Sequence, residues 1–420
     1  MAAMLRSNTK FTNVVAKSAT KNTTAARPKT VCKAGKKVMV TSAEKVRTPT
    51  NVTPENDLMI RVAKGEATEA TPVWLFRQAG RHLPEYNQFK KDSGKNFLQI
   101  LDDPMAVAEV TMQPLRRYNL DAAILFSDIL VVPQAFGIDV EMPGGKGILI
   151  PNPLTTPADL KRLPDSVDVE KSLGHVFEGV ERINEAIVKE GHGVPLIGFS
   201  AAPWTLLYYM VGGSSKDNGD AGIRWCRDYP EDAQMLLDHL TSVVIDYLDK
   251  QVQCGAHMIQ VFEAMGEFID EPTFHNFAMP AMKKIAEEMR RRHPTIPLLT
   301  FPRDAMYGIS ACAECYDVVT IDTVASRTEM RAMIAKEAAA RGAKPARLQG
   351  NFDPALLQLE TGGTNAQIED AVRLMLSEFG PQGLIANLGA GLMGKEDPAR
   401  VTHMIDSVHS ISKEMIAEGN

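Results

Sequence analysis

Residues Pro230–Phe262 read PEDAQMLLDHLTSVVIDYLDKQVQCGAHMIQVF, a long polar and apolar alternation followed by a short apolar run. Its first part, Pro230–Gly255, has apolar residues at three- and four-residue spacing, which predicts an amphipathic helix. Its last part, Met258–Phe262, is a short apolar run after a glycine, which predicts a buried strand. Strands of this kind that are separated by helices are typical of a parallel sheet with helices on its faces. The stretch therefore predicts one repeating unit of an α/β fold.

The same alternation continues in both directions from about Pro54. Further helical patterns are found at Pro272–Arg292, Ser326–Gly342 and Asn365–Phe379. The other apolar runs that predict strands are Val73–Phe76, Ala122–Phe126, Pro195–Phe199, Leu298–Phe301, Val318–Ile321, Arg347–Gly350 and Leu384–Leu388. Eight such runs with no linker between them predict an α/β fold, a single-domain (β/α)8 TIM barrel over residues 57–420.

The first 43 residues differ in composition from the rest of the chain. They contain nine Lys or Arg residues, many Ser and Thr residues, and no Asp or Glu. Such a segment is typical of an organelle transit peptide, and it lacks the apolar core of a secretory signal. Its Thr and Lys content and the sequence TVCKAG favour a plastid transit peptide over 1–43, cleaved near 32–34, with a linker at 44–56 and a mature protein in the chloroplast stroma. The alternative is a basic tail that stays attached.

The rest of the chain is acidic. It holds 37 Lys and Arg residues against 52 Asp and Glu residues, a formal net charge of −15. This balance argues against a broad nucleic-acid-binding surface, so an anionic substrate would have to meet a few local arginines. No run approaches the roughly 18 consecutive apolar residues of a membrane span. The remaining cysteines, Cys226, Cys254, Cys312 and Cys315, are too few for a disulfide framework and indicate a reducing compartment.

Polar residues end most of the predicted strands. Barrel enzymes have their active sites at the C-terminal ends of the strands, so these residues are candidates for a polar pocket. The alternative is that they merely end the strands. They are Arg77, Asp128, Ser200, Glu263, Asp322, Asn351, Asp353 and Asn387.

The strongest motif is PVWLFRQAGRHLPEY, Pro72–Tyr86, in which Arg77 and Arg81 follow an apolar run and flank a glycine. The guanidinium group stays charged and presents a planar fork of donors, which suits it to substrate carboxylates. The alternative is a structural ion pair with an acid such as Glu85.

The second motif is AAILFSDILVVPQAFG, Ala122–Gly137. Asp128 stands within an otherwise apolar run, and an isolated buried carboxylate is costly unless it is paired, hydrogen-bonded or functional. The alternative role is to accept hydrogen bonds from the amides of its own loop.

Together these motifs resemble the uroporphyrinogen decarboxylase family. The resemblance runs from about Asp57 to the C-terminus, through GFSAAPWTLLYYMVGGSS (Gly198–Ser215), LQGNFDP (Leu348–Pro354) and GPQGLIANLGAGL (Gly380–Leu392). It implies a barrel enzyme that converts the four acetates of uroporphyrinogen III to methyls, giving coproporphyrinogen III and CO2 on the route to haem and chlorophyll. It also implies a homodimer. No cofactor or metal is expected, because a protonated pyrrole ring accepts the electrons of the breaking bond.

The resemblance further implies roles for individual residues. Asp128 would accept hydrogen bonds from the pyrrole N–H groups and balance the cationic intermediate. Arg77 would bind substrate and donate the proton, directly or through a water molecule. The other substrate-binding residues would be Gln78, Ala79, Gly80, Arg81 and Tyr209, the last in the sequence LYYM.

Two positions depart from the family pattern. Ala264 stands where the family has serine in F-[DE]-S, and Ala390 stands where it has histidine in ANLGHG. Both remain predicted substrate contacts, but their alanines leave open a paralogue that binds porphyrinogens as a carrier or regulator. A related methyltransferase barrel would carry a His-x-Cys zinc signature, and this sequence contains no such pair.

Two further patterns are misleading. GAGLMGKE, Gly389–Glu396, nearly matches a phosphate-binding loop, but Glu396 stands where a Ser or Thr would bind Mg²⁺. CAEC, Cys312–Cys315, is a single C-x-x-C without a second pair of ligands. The sequence therefore predicts neither a nucleotide site nor a zinc site.

Overall fold

A computed structural model describes residues 53–143, 147–214 and 218–419. The transit peptide expected at 1–43 and the start of the linker lie outside these residues, and both stay predictions. Within the described residues, no helix is both long enough and apolar enough to cross a bilayer.

A parallel sheet occupies the centre of the described structure. Its strands follow the order of the chain, and each pairs with the next. They are β1 Ala123–Ile124, β2 Leu196–Ala201, β3 Met258–Glu263, β4 Leu298–Pro302, β5 Val318–Thr320, β6 Arg347–Phe352 and β7 Leu384–Leu388. These seven strands correspond to seven of the eight predicted runs, and β2, β4, β5 and β7 are buried along their whole length.

The first predicted strand, Val73–Phe76, requires a correction. Only Val73 pairs with a strand, through a parallel bridge to Ala386 of β7. The following backbone amides turn to side chains instead, since Leu75 N donates to Gln78 Oε1 (3.2 Å) and Phe76 N to Asn387 Oδ1 (3.0 Å). Local side-chain acceptors therefore replace the ladder that the apolar run predicts.

This short segment nevertheless closes the barrel. On one side Ala386 N donates to Pro72 O (2.8 Å) and Trp74 N donates to Ala386 O (3.3 Å). On the other side Asp121 N donates to Val73 O (2.9 Å), just before β1. The sheet thus returns on itself, and the structure confirms the (β/α)8 TIM barrel with its first strand reduced to a bridge.

Helices cover the outside of the sheet. The α-helices are α1 Leu58–Lys64, α2 Pro84–Ser93, α3 Phe97–Leu101, α4 Pro104–Arg117, α5 Val131–Ala135, α6 Val169–Glu190, α7 Pro203–Gly212, α8 Ala221–Asp228, α9 Pro230–Gln253, α10 Glu271–Thr273, α11 Met279–Arg292, α12 Ile309–Cys315, α13 Arg327–Ala340, α14 Asn365–Phe379 and α15 Pro398–Ala417. Short 3₁₀ segments lie at Pro157–Arg162, Gly266–Phe268, Met306–Gly308 and Pro354–Leu357, and a π-turn at Phe274–Ala278.

The predicted helices are found with small changes at their ends. The helix expected at Asn365–Phe379 is α14, which begins with a capping box between Thr364 and Gln367. The helix expected at Pro272–Arg292 is divided, because the π-turn interrupts the α-helical hydrogen bonds before α11.

Helix α7 has no amphipathic pattern, and the structure shows why. It follows β2 almost directly, with Pro203 in its first turn, and all ten of its residues are buried. A helix that is apolar all round belongs inside a protein rather than on its surface. This placement brings Thr205 and Tyr209 close to the C-terminal ends of the strands.

Asp121 joins distant parts of the chain beside the start of β1. Its Oδ1 accepts a hydrogen bond from Asn56 Nδ2 (2.8 Å), and its Oδ2 accepts one from Val73 N (2.7 Å). Oδ2 also lies 2.7 Å from Nε2 of His409 in α15. One buried carboxylate therefore holds the N-terminal segment, the bridge segment and the last helix together.

We expect Asp121→Asn to lower the free energy of unfolding by about 3 kcal/mol. The substitution removes the negative charge and one of the two acceptor oxygens that the partners of Asp121 bind. Urea unfolding followed by circular dichroism measures the change. Asp370→Asn, on the exposed face of α14, is the matched control and should change stability by less than about 0.5 kcal/mol. Equal losses in the two variants would contradict the assignment of Asp121 as a structural centre.

Candidate active site

Arg77 lies directly after the bridge segment, in a strained backbone conformation. Its φ is +60°, a region that non-glycine residues rarely adopt. Its side chain packs against Gly391, where an added Cβ would lie 2.9 Å from Arg77 Cδ, and its Nη1 lies 3.2 Å from Met393 Sδ. The loop after β7 therefore supports Arg77 from one side.

Arg81 leans on the same loop. Its Nη2 donates to Met393 O (3.2 Å), and an added Cβ at Gly394 would lie 2.7 Å from Arg81 Cβ. The ion pair with Glu85, considered as an alternative for these arginines, is not formed, because Glu85 pairs with Arg117 at 2.5 Å. Both residues keep solvent-exposed surface at this end of the barrel, although the guanidinium group of Arg77 is partly desolvated.

Glu396 explains why the loop after β7 resembles a phosphate-binding loop. Its carboxylate is buried and accepts hydrogen bonds from Met393 N (2.9 Å), Gly394 N (2.8 Å) and Lys395 N (3.0 Å). Burial raises the pKa of Glu396, but these amides outweigh it and the net pKa lies below its usual value. A carboxylate of the protein thus occupies the place that a phosphate would take.

Asp128 lies between β1 and α5. Its Oδ1 accepts a hydrogen bond from Leu130 N (2.8 Å), so the alternative role of binding a loop amide accounts for part of its environment. Burial raises its pKa to about 6, while the Leu130 amide and the charge of Arg77 lower it. Asp128 is therefore a desolvated acid within electrostatic reach of Arg77.

Several charged groups act on Arg77 at once. Burial lowers its pKa, and the positive charges of Arg303 and Arg81 act in the same direction. Tyr209 and Asp128 oppose this shift. The structure therefore brings three other residues predicted for the site, Arg81, Asp128 and Tyr209, within electrostatic reach of Arg77, together with Arg303.

The sequence reasoning missed Arg303. It follows β4, and its Nη2 donates to Ala264 O (2.5 Å) while its Nε donates to Asp304 Oδ2 (3.0 Å). The signal for it was available, because a charged pair follows the apolar run at Leu298–Phe301 just as Arg77 follows the first run. That run was the one without an assigned polar residue at its end.

Glu263, at the end of β3, supports this side of the pocket. It is fully buried, and its Oε1 accepts hydrogen bonds from the Thr205 hydroxyl and from Met265 N (3.1 Å). Among the described residues its Oε2 has no hydrogen-bond partner. Burial raises its pKa to about 7. Glu263 is therefore a second acid with a raised pKa, placed behind the pocket.

The position of Ala264 is fixed through its backbone. Its amide donates to Thr205 Oγ1 (2.8 Å), and its carbonyl accepts from Arg303. Ala264 has no hydroxyl group, so it cannot make the side-chain hydrogen bond that serine would make. Its backbone carbonyl instead accepts a hydrogen bond from Arg303 and holds this cation at the pocket.

Ala390 lies between two glycines whose side-chain positions are already filled. An added Cβ at Gly389 would lie 2.3 Å from Thr323 N, and one at Gly391 would meet Arg77. The backbone on either side of Ala390 is therefore closely packed against Thr323 and Arg77, while Ala390 itself is half-buried.

The remaining residues of the arginine motif form its framework. Gln78 is fully buried, and its Nε2 donates to Ala122 O (3.1 Å) while its Oε1 binds the backbone of its own turn. A substrate would meet Gln78 through its backbone only. Ala79 and Gly80 are half-buried, and the positive φ in this turn belongs to Arg77 rather than to Gly80.

Other polar residues at the strand ends also bind the framework. Ser200 Oγ donates to Ala201 O (3.0 Å), Asp353 caps Ala355 N (2.9 Å), and Asn387 accepts from the bridge segment. Asn351 donates to Asp322 O (2.7 Å) and accepts from Arg327. These four residues therefore make the framework contacts that the alternative describes. Within the part of the chain that the structure describes, no group of three or more His, Cys, Asp or Glu could hold a metal ion.

Solved structures support the barrel. A methyltransferase from Methanosarcina mazei superposes with a TM-score of 0.69 over 85% of this chain and 98% of its own, at 18% sequence identity. This similarity concerns the fold alone.

Sequence relatives are much closer. Proteins named uroporphyrinogen decarboxylase are 40% identical in Salinibacter ruber (86% of this chain, 97% of the relative), 41% in Danio rerio (86% and 95%) and 38% in Homo sapiens (86% and 95%). The family model described as "Uroporphyrinogen decarboxylase (URO-D)" matches residues 54–411. Since the model spans the whole barrel and the relatives are covered almost end to end, this chain belongs to the uroporphyrinogen decarboxylase family.

Proposed function

We propose that this chain is an active uroporphyrinogen decarboxylase, which converts the acetate side chains of uroporphyrinogen III to methyls and releases CO2 and coproporphyrinogen III. Family membership supports this function. The observation that carries it is the pocket in which Asp128, with a raised pKa, lies within electrostatic reach of Arg77.

The charges of the pocket suit such a substrate. Uroporphyrinogen carries eight carboxylates around a ring of pyrrole N–H groups. Arg77, Arg81 and Arg303 offer charged donors to the carboxylates, and Asp128 offers an acceptor to the N–H groups. Since the barrel is acidic overall, this local group of cations is what attracts the anion.

The same groups serve the chemistry. A proton added to the ring carbon beside an acetate makes a cation, and the bond to CO2 breaks toward that cation. A second proton then takes the place of CO2 on the side-chain carbon, and the ring carbon loses the first proton, so each acetate consumes one proton overall. Asp128 is the fixed negative charge that stabilises the cation, in a site already desolvated before substrate binds. Arg77 delivers the proton directly or through a water molecule, and the nearby cations and burial that lower its pKa assist this step.

The test is to incubate the purified mature chain with uroporphyrinogen III without oxygen, oxidise the products and separate the porphyrins by carboxylate number. We expect intermediates with seven, six and five carboxylates and a final product with four. Binding without any loss of carboxylates would instead indicate the carrier or regulator that Ala264 and Ala390 leave open.

We also propose that residues 1–43 direct the enzyme to the chloroplast stroma and are removed near 32–34, and that the mature enzyme works as a homodimer. The acid-free basic composition supports import, and the family resemblance supports the dimer. Location of a fluorescent protein fused to residues 1–56, and light scattering of the mature chain, test these two points.

We expect Asp128→Asn to lower kcat at least 100-fold, the order of loss when one preorganised electrostatic partner is removed. The amide keeps the shape of the side chain and removes a charge that burial disfavours, so the unfolding midpoint should not fall. Asp353→Asn, which removes a carboxylate from an exposed position at the same end of the barrel, is the control and should keep near-normal turnover. Retention of more than about a tenth of the activity in Asp128→Asn would mean that the carboxylate is structural.

The two arginines of the motif should separate kinetically. Arg77→Ala removes the proton donor beside Asp128, and kcat should fall about as far as in Asp128→Asn. Arg81→Ala removes a charge that only binds carboxylates, so KM should rise about tenfold or more while kcat stays nearly unchanged. Steady-state kinetics of both variants measure the difference, and a pure KM effect in Arg77→Ala would remove its role as donor.

The pH profile should report Asp128. Its carboxylate is the active form, so kcat/KM should fall about tenfold per pH unit below a pKa of about 6. The folded pKa lies above the ordinary value of 3.8, so its contribution to stability is complete below that value and is lost as the pH rises through about 6. Activity and this part of the stability therefore change in opposite directions over the same range.

Glu263→Gln is the control for this profile, because Glu263 also titrates in the folded protein, at about 7. The acidic limb of kcat/KM should keep its midpoint in this variant. If the acidic limb moves or vanishes in Glu263→Gln, the titrating group is Glu263 and not Asp128.

A further inference from the structure

Met393 occupies an unusual place for a methionine. Its residue surface is 56% exposed, although both arginines of the motif contact it. Arg77 Nη1 lies 3.2 Å from its Sδ, and Arg81 Nη2 lies 3.2 Å from its carbonyl oxygen. The thioether sulfur, a weak acceptor, thus contacts one N–H donor of the Arg77 guanidinium, the group expected to bind a substrate carboxylate.

The loop holds this sulfur in place. The amides of Met393, Gly394 and Lys395 are bound to the Glu396 carboxylate, and Leu392 N donates to Phe76 O (3.2 Å). An added Cβ at either neighbouring glycine would meet an arginine side chain, so the loop and the arginines are packed without spare space. A chemical change at the sulfur would therefore act directly on Arg77.

Methionine sulfur undergoes one simple modification. Hydrogen peroxide transfers an oxygen atom to it: the S–O bond forms, the O–O bond breaks, the sulfur loses two electrons and water leaves. The product sulfoxide is polar, and its oxygen is a far better acceptor than the thioether; methionine sulfoxide reductases reverse the change.

We propose that Met393 is a site of reversible oxidation by peroxide, at which the sulfoxide oxygen binds Arg77 and competes with a substrate carboxylate. The inference rests on the proposed function, since it requires that Arg77 meets the substrate. An exposed methionine whose sulfur contacts a carboxylate-binding arginine makes the enzyme sensitive to peroxide at the substrate site.

The experiment begins with the untreated mature enzyme, whose turnover tests the proposed function by itself. Dilute peroxide is then applied and removed with catalase before the oxygen-sensitive substrate is added. We expect kcat/KM to fall about tenfold, the change that about 1.4 kcal/mol of lost binding produces. Peptide mass spectrometry should show one added oxygen at Met393, and methionine sulfoxide reductase should restore activity.

Three variants make the test specific, each compared with its own untreated form. Met393→Leu keeps an apolar side chain without sulfur and should lose nothing on treatment. Met235→Leu is the matched control, because Met235 has the same 56% exposure but lies on α9 at the outside of the barrel, and this variant should stay fully sensitive. Met393→Gln places an amide oxygen near Arg77 and should have low kcat/KM without any peroxide.

Affinity for uroporphyrin, which carries the same eight carboxylates, gives a readout that is independent of turnover. It should weaken about tenfold on oxidation of the wild-type chain and not in Met393→Leu. Equal sensitivity of Met393→Leu and the wild type would place the damage elsewhere and overturn the proposal. So would sulfoxide at Met393 with unchanged affinity, whether or not the untreated enzyme turns over.

Discussion

The barrel and its pocket both depend on the contact between the bridge segment and β7. Val73 and Ala386 pair there, and the chain then leaves the sheet because side chains of Gln78 and Asn387 take its next amides. A complete first strand would have carried Arg77 further along the sheet. The early turn instead places it beside the loop after β7, where two glycines leave room for arginine side chains.

Electrostatics then determines what this pocket can do. Arg77 and Asp128 each affect the pKa of the other, and the positive charges of Arg81 and Arg303 lower the pKa of Arg77 further. Burial makes these charges strong, because little water is present to screen them. The buried carboxyl of Glu263 accepts a hydrogen bond from the Thr205 hydroxyl, which in turn accepts one from the amide of Ala264. The carbonyl of Ala264 then binds Arg303. The charged residues of the pocket are therefore supported by the hydrogen bonds of Glu263 and Thr205.

Much of this was predictable from the sequence, for identifiable reasons. Apolar runs and helical spacing predict the seven strands and the helices α9, α11, α13 and α14, because burial on both faces of a parallel sheet leaves a clear pattern. Arg77 and Asp128 were candidates because a charge within or directly after an apolar run is costly without a purpose. Local pattern thus predicts the fold and marks these two residues, while their roles are implied by the family resemblance.

What could not be predicted depends on contacts between distant segments. The reduction of the first strand follows from acceptors on Gln78 and Asn387, and no local pattern distinguishes these from substrate-binding residues. The role of Glu396 as a substitute for phosphate is visible only when its three amide partners are seen. Arg303 differs from these residues, since it follows an apolar run in the sequence just as Arg77 does.

The position of Asp121 has a consequence for synthesis of the protein. Its partners lie near both ends of the described chain, at Asn56, Val73 and His409. A ribosome releases the N-terminal end first, so the bridge segment has no β7 and Asp121 has no His409 until nearly the whole chain has emerged. Until then the growing chain exposes both edges of an open parallel sheet. Such edges can pair with strands of other chains, so the nascent barrel is open to aggregation until β7 and the last helix have emerged.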